Sequence, residues 1–158
     1  MTNVRFLNPA TISKPPGYTH VVEISGAGRI VYIAGQLGLD RDGNLVGSAG
    51  DFRAQAVQAF ENLRAALAAV GMTFKDVVKI NNYLTDMSHM TTFRAVRDSF
   101  LNTKAPPAST TVGISKLARD GALFEIEAVA VAPAKVTRAS AVRRSRRPAF
   151  KARRRKRK

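Results

Sequence analysis

Of the 158 residues, 26 are Lys or Arg and 11 are Asp or Glu, a net charge of +15, and none is Cys, which excludes disulfides, thiolate nucleophiles and cysteine-based zinc sites. The charge is unevenly placed: residues 135–158 carry 13 basic groups and no acid, which leaves 13 basic against 11 acidic groups in residues 1–134. Apolar residues make up 45 % of the chain, enough for a hydrophobic core, while the longest apolar runs, about 8–10 residues, fall short of the roughly 20 a membrane-spanning helix needs.

The expectation is a cytosolic domain over 1–134 followed by a basic tail over 135–158, with no membrane segment and no secretory leader. After a polar, Pro-containing lead, His20–Ile24 reads as a strand that enters a Gly-rich turn at 25–28, and Arg29–Leu37 as a second strand, apolar at nearly every position as if covered on both faces. A hairpin of these two is the simplest pairing. Asp51–Val70 is the clearest helix, since Ala56, Phe60, Leu63, Leu67 and Val70 draw one stripe on a 3.6-residue period, with Asp51 as cap and Gly71 as stop.

Asp76–Leu84 is β-rich, and Ser88–Leu101 is a second helix with Met90, Phe93, Val96 or Arg97, and Phe100 on one side and Ser88 as its cap. Pro106 and Pro107 end it. Ala108–Leu117 and Ala122–Ala132 read as strands joined around the Asp120–Gly121 turn, with Glu125 and Glu127 on one face and Phe124 and Ile126 on the other. The order β-β-α-β-α-β-β implies an α+β fold with two helices on one face of a sheet, whose bare face self-association would cover.

The segment VYIAGQLGLD, the run DVVKINNYLTDM, and the pair PPAS and LFEIEAVAVA resemble the YjgF/RidA (reactive intermediate deaminase) family over about residues 5–132. That resemblance implies a chorismate-mutase-like fold with a mixed sheet, and a homotrimer whose sheets close into a barrel with a ligand cleft between each pair of subunits. It also implies the activity: water attacks an enamine or imine such as 2-aminoacrylate, ammonia leaves, and a keto acid remains. No cofactor and no metal are expected; His20 and His89 are far apart in sequence.

Carried over by position, the resemblance puts the water-orienting carboxylate at Glu127, the aromatic hydroxyl at Tyr18, and the backbone of the site at Gly35, beside Ala34 where active members usually have Ser. After Pro107-Ala108, where deaminases of the family have Arg, this chain has Ser109. An Arg there would hold the substrate carboxylate in a bidentate fork, so its absence implies weak turnover unless Arg94, on the second helix, enters the cleft instead. A small keto- or imino-acid-like substrate is one reading. The alternative is a nucleic-acid-associated protein acting through the tail, as some relatives have been described as ribonucleases or translation inhibitors. A Ser–His hydrolase at Ser109 lacks an evident activating His, and Gly26–Gly28 is followed by no helix that would make it a phosphate loop.

Overall fold

The computed structural model describes residues 2–26 and 28–133, and everything expected of residues 135–158 lies outside them. Six strands and two α-helices are present among the described residues: β1 (Asn3–Leu7), β2 (Val21–Ser25), β3 (Gly28–Leu37), α1 (Phe52–Ala69), β4 (Val77–Leu84), α2 (Met90–Phe100), β5 (Ala108–Gly113) and β6 (Phe124–Pro133). The class is α+β, as expected, with one strand more than the sequence reading supplied. Asn3–Leu7, read as lead, pairs antiparallel with β2 from Asn3 opposite Ser25 to Leu7 opposite Val21.

Two hairpins expected from the turn residues do not form. β2 pairs with β1, and β3 instead lies antiparallel to β6 at the edge of a sheet ordered β3-β6-β4-β5. The Asp120–Gly121 turn is real, with Gly121 at φ +79, but it does not join paired strands. β5 stops at Gly113 and runs parallel to β4, reached through α2 as a crossover connection. A turn signal specifies a local reversal; which strands then pair depends on contacts distant in sequence.

α1 forms where the apolar stripe placed it. The Asp51 carboxylate accepts from the Ala54 amide at 2.9 Å, and at the other end Gly71, at φ +68, lets the Met72 amide return to the Leu67 carbonyl. Ala56, Phe60, Leu63 and Leu67 are fully enclosed against the sheet. Phe60 stacks on Phe100 of α2 at 4.9 Å and on Phe124 of β6 at 6.0 Å, so three elements meet at one ring. In α2, Phe93, Val96 and Arg97 face inward. Its expected cap is corrected: Ser88 lies in a 3₁₀ turn whose cap is Asp86, which accepts from the Ser88 amide, and α2 itself starts at His89 without a side-chain cap. His89 stacks flat on Phe52 at 4.4 Å.

The helices cover one face only. On β4 and β6 the side chains of Ile80, Asn82, Leu84, Phe124 and Ile126 are sealed beneath them, while the alternate residues Lys79, Asn81, Tyr83, Glu125 and Glu127 face the other way and are half-buried. Within one chain, β3 is covered on one face only. Of its apolar residues only Ile33 is buried, and Ile30 and Tyr32 are 55 % and 80 % exposed.

Candidate functional site

The residues singled out in the sequence fall into two groups on opposite faces of the sheet. The first surrounds a bulge. Ile33 of β3 pairs with Ala128 and Gln36 with Ile126, so Ala34 and Gly35 together stand against Glu127, two residues opposite one. A bulge breaks the ladder and re-aims what it carries. Here the Glu125 carboxylate lies over the backbone of Gly35, where a Cβ would overlap Glu125 Oε1. A side chain at residue 35 would displace the carboxylate from this seat.

The two glutamates differ in their surroundings. Glu127 Oε1 accepts from Asn81 Nδ2 at 2.7 Å and from the Tyr83 hydroxyl at 3.0 Å. That same bond, with some burial and the charges of both glutamates, raises the Tyr83 phenol above its ordinary value. Glu125 takes no hydrogen bond from the described residues, and burial, together with the neighbouring charge of Glu127, raises its carboxyl above the usual 4.5. A carboxylate with raised basicity and unspent lone pairs is suited to accept a proton from water. The alternation of β6 placed both acids on one face; what separates them, the bulge and the donors from β4, is not visible in a sequence. Beside Glu127 a hollow of about 500 Å³ is lined by Tyr32, Ala34, Lys79 and Asn81. Lys79 donates to Thr110 Oγ1 at 2.6 Å, and burial lowers its ammonium below its ordinary value.

The second group lies at the edge strand β5, on the helix-covered face. Asn82, wholly buried, directs Nδ2 to Ser109 Oγ at 3.1 Å, to the Thr110 carbonyl at 3.0 Å and to Thr111 Oγ1 at 3.2 Å. Tyr18 is brought to the same corner by its neighbour: the Thr19 amide donates to the Pro107 carbonyl at 3.2 Å and the Thr19 hydroxyl to that of Pro106. Tyr18, edge-on to His20 at 5.2 Å, lines a second hollow of about 560 Å³ that also exposes Lys14 and Lys104 and includes no acidic residue in its wall. Ser109 and Tyr18 are therefore neighbours in the fold, and Ala34, Gly35 and Glu127 are neighbours in the other group. One chain does not bring the two groups together.

Arg94 belongs to neither group. It sits on the exposed side of α2, and the arginine that this helix turns inward is Arg97, three residues on, with 6 % of its surface exposed. The sequence reading offered Val96 or Arg97 for the inner face; the fold turns both inward. No cluster of three His, Asp or Glu residues that could hold a metal ion occurs among the described residues, and no helix among them is long and apolar enough to cross a membrane.

A family model described as endoribonuclease L-PSP matches residues 11–132, most of the described chain. The chain belongs to this family, the YjgF/RidA or Rid family. Among curated relatives, a 2-iminobutanoate/2-iminopropanoate deaminase from Dermatophagoides farinae is 32 % identical over 133 residues, covering 83 % of this chain and 98 % of the relative. Protein DfrA from Myxococcus xanthus is 39 % identical over 114 residues, 72 % of this chain and 84 % of its own. Of solved structures, the Rid-family protein YyfB from Yersinia pestis superposes with a TM-score of 0.72 at 33 % identity, covering 82 % of this chain and 99 % of that one. RidA from an Antarctic Psychrobacter superposes with 0.61 at 37 %, covering 68 % and 85 %. The Rid neighbours agree with the chorismate-mutase-like sheet-and-helix layering described above.

Proposed function

We propose that this Rid-family protein is a homotrimer that binds a small 2-imino or 2-oxo acid in clefts between subunits and hydrolyses the imine weakly. The observation that carries the reading is the carboxylate pair at the Ala34–Gly35 bulge, with Glu125 raised in basicity and seated against bare backbone. The division of the site supports the trimer. Ser109 lies on the helix-covered face, near the loop that carries Tyr18, and the glutamates lie on the other face, so a substrate that meets both groups meets two chains. The open face, with Ile30 and Tyr32 exposed on β3, offers the apolar surface that such an assembly covers.

In this reading Glu125, more than Glu127, takes the proton as water adds to the C=N carbon, and the proton passes to the departing ammonia. Glu127 is held beside it by Asn81 and Tyr83. Turnover is weak because Ser109 offers a neutral hydroxyl where a fork of cationic donors would hold the carboxylate of the substrate. The test is a coupled assay in which a dehydratase generates 2-aminoacrylate. Ser109→Arg is expected to raise the rate over the wild type, and Glu125→Gln in that background to cut it by about a hundredfold or more. A rate indifferent to both glutamates would remove the carboxylates from the reaction.

Residues 135–158 carry a separate proposal on their composition: they bind polyanions through phosphate contacts, without reading bases. Thirteen cations and no acid in 24 residues make the electrostatic footprint. Anisotropy titrations of duplex DNA over a salt series should give a log–log slope of about −5 to −7. A protein ending at Ala134 should lose the binding; equal affinity would place it on the folded domain.

A further inference from the structure

The hollow beside Glu127 is bordered by a cation and an anion that do not meet. Lys79 of β4 and Glu127 of β6 both line it, together with Asn81, Ala34 and Tyr32. Glu127 spends Oε1 on Asn81 and Tyr83. Lys79 Nζ meets the hydroxyl of Thr110, diagonally across the β4–β5 ladder, at 2.6 Å. No carboxylate among the described residues lies within ion-pair distance of that ammonium. At about 500 Å³, the hollow is large enough for a small organic acid.

The fold by itself gives this cation no counter-charge. Lys79 is half-buried, and burial disfavours its charged form. Its ladder neighbours are apolar, Ala108 on β5 and Val129 on β6, so neither offers it an acceptor side chain. An ammonium has three donors and the Thr110 hydroxyl takes one bond, which leaves two for a ligand. The alternation of β4 sets Lys79 on the same face as Asn81, the donor that holds Glu127. A half-buried cation without a counter-ion, at the edge of a hollow with a carboxylate in its wall, suits a small molecule that brings its own negative charge.

We infer that Lys79 is the carboxylate anchor on the glutamate side of the sheet, holding the acid group of the ligand while the carbon that bears the oxo or imino group is turned toward Glu127. The inference rests on the reading that the clefts take a small 2-oxo or 2-imino acid, and it names the group that supplies the positive charge. An ammonium is a point charge with rotatable donors, whereas a guanidinium fork fixes a carboxylate in one plane. Lys79 therefore gives affinity for the acid with a looser hold on its orientation, in keeping with weak turnover at a site whose residue 109 is Ser.

The experiment is calorimetric titration of the intact protein with 2-oxobutanoate and with its uncharged amide, 2-oxobutanamide. Wild type, Lys79→Gln, Thr110→Asp and Ser109→Arg are compared, with thermal unfolding and sedimentation run in parallel. The wild type should prefer the acid. Lys79→Gln should weaken acid binding by about tenfold or more, the worth of a hydrogen bond to a charged group, and leave amide binding unchanged. Thr110→Asp, at an exposed position, gives Lys79 a counter-ion of the protein's own. It should weaken acid binding likewise while thermal stability holds or rises, and it carries the test should Lys79→Gln fail to fold. Acid binding that survives these substitutions, or that falls only in step with lost stability or a smaller particle, makes Lys79 a structural or assembly residue and overturns the inference. Acid binding that appears only in Ser109→Arg overturns it too while leaving the small-acid cleft standing. No acid binding in either wild type or Ser109→Arg overturns both.

Discussion

β4 and β6 carry two chemistries on alternate residues. Toward the helices run Ile80, Asn82, Leu84, Phe124 and Ile126, all sealed; toward the open side run Lys79, Asn81, Tyr83, Glu125 and Glu127, all partly wet. The backbone is shared, so the difference belongs to what lies over each face. The covered face gains its free energy from apolar burial and from stacked rings around Phe60 and Phe124. The open face holds two like charges two residues apart, a lysine whose ammonium is disfavoured by burial, and exposed Tyr32, each a cost to the isolated fold. Groups that a fold would be more stable without are where binding and chemistry are to be sought.

The comparison breaks first on the covered side. Phe124→Ala removes a ring that touches Phe52, Phe60 and Phe93, and unfolding in denaturant should show a loss of about 3–5 kcal/mol. A loss under about 1 kcal/mol would mean the helices do not hold this face.

Next in size is the open face of β3. Tyr32→Asp places a charge in the surface proposed for assembly and should weaken association by about 2 kcal/mol or more. Sedimentation should show smaller particles with an unchanged far-ultraviolet spectrum; an unaltered oligomer would move the interface elsewhere.

The smallest effect is the most specific. Because folding raises the Glu125 carboxyl above its ordinary 4.5, the folded protein holds that proton more tightly than the unfolded chain does. Stability contributed at low pH is therefore lost as pH rises from about 4.5 through the folded value. Glu125→Gln should be slightly more stable than the wild type at neutral pH, by less than about 1 kcal/mol for a partly exposed group, with the difference vanishing below pH 4.5. A variant less stable at neutral pH would show that the carboxylate is favourably placed and that its burial does not raise it.

What the sequence disclosed tracks how local each feature is. The α1 stripe, its Asp51 cap and Gly71 stop were legible because all lie within one element, and so was the split of β6 into an acidic and an apolar face. The pairing of β2 with Asn3–Leu7 was not, because five residues, two of them polar, carry no period strong enough to mark a strand. Nor was the parallel β4–β5 ladder, since Asp120–Gly121 advertises a reversal whether or not its flanks pair. At the site, the resemblance pointed to Gly35 and Glu127, and Glu125 was legible only as sharing a strand face with Glu127. The bulge that sets Glu125 against Gly35, the donors that occupy Glu127, and the inward turn of Arg97 rather than Arg94 depend on three-dimensional neighbours and could be read only from the fold.

The buried amide of Asn82 bears on how the chain finds its register. β5 reaches β4 only after the α2 crossover, and a parallel edge strand could dock shifted along its neighbour. Asn82 Nδ2 meets hydroxyls at both Ser109 and Thr111. A slip of one residue turns both hydroxyls to the other face and brings Thr110 with Ala108 or Val112 in their stead, so the amide keeps one hydroxyl at most. A slip of two brings either Gly113 or Pro107 to one of those places, and neither has a hydroxyl to offer. Asn82 thus favours the one alignment in which its amide meets both hydroxyls.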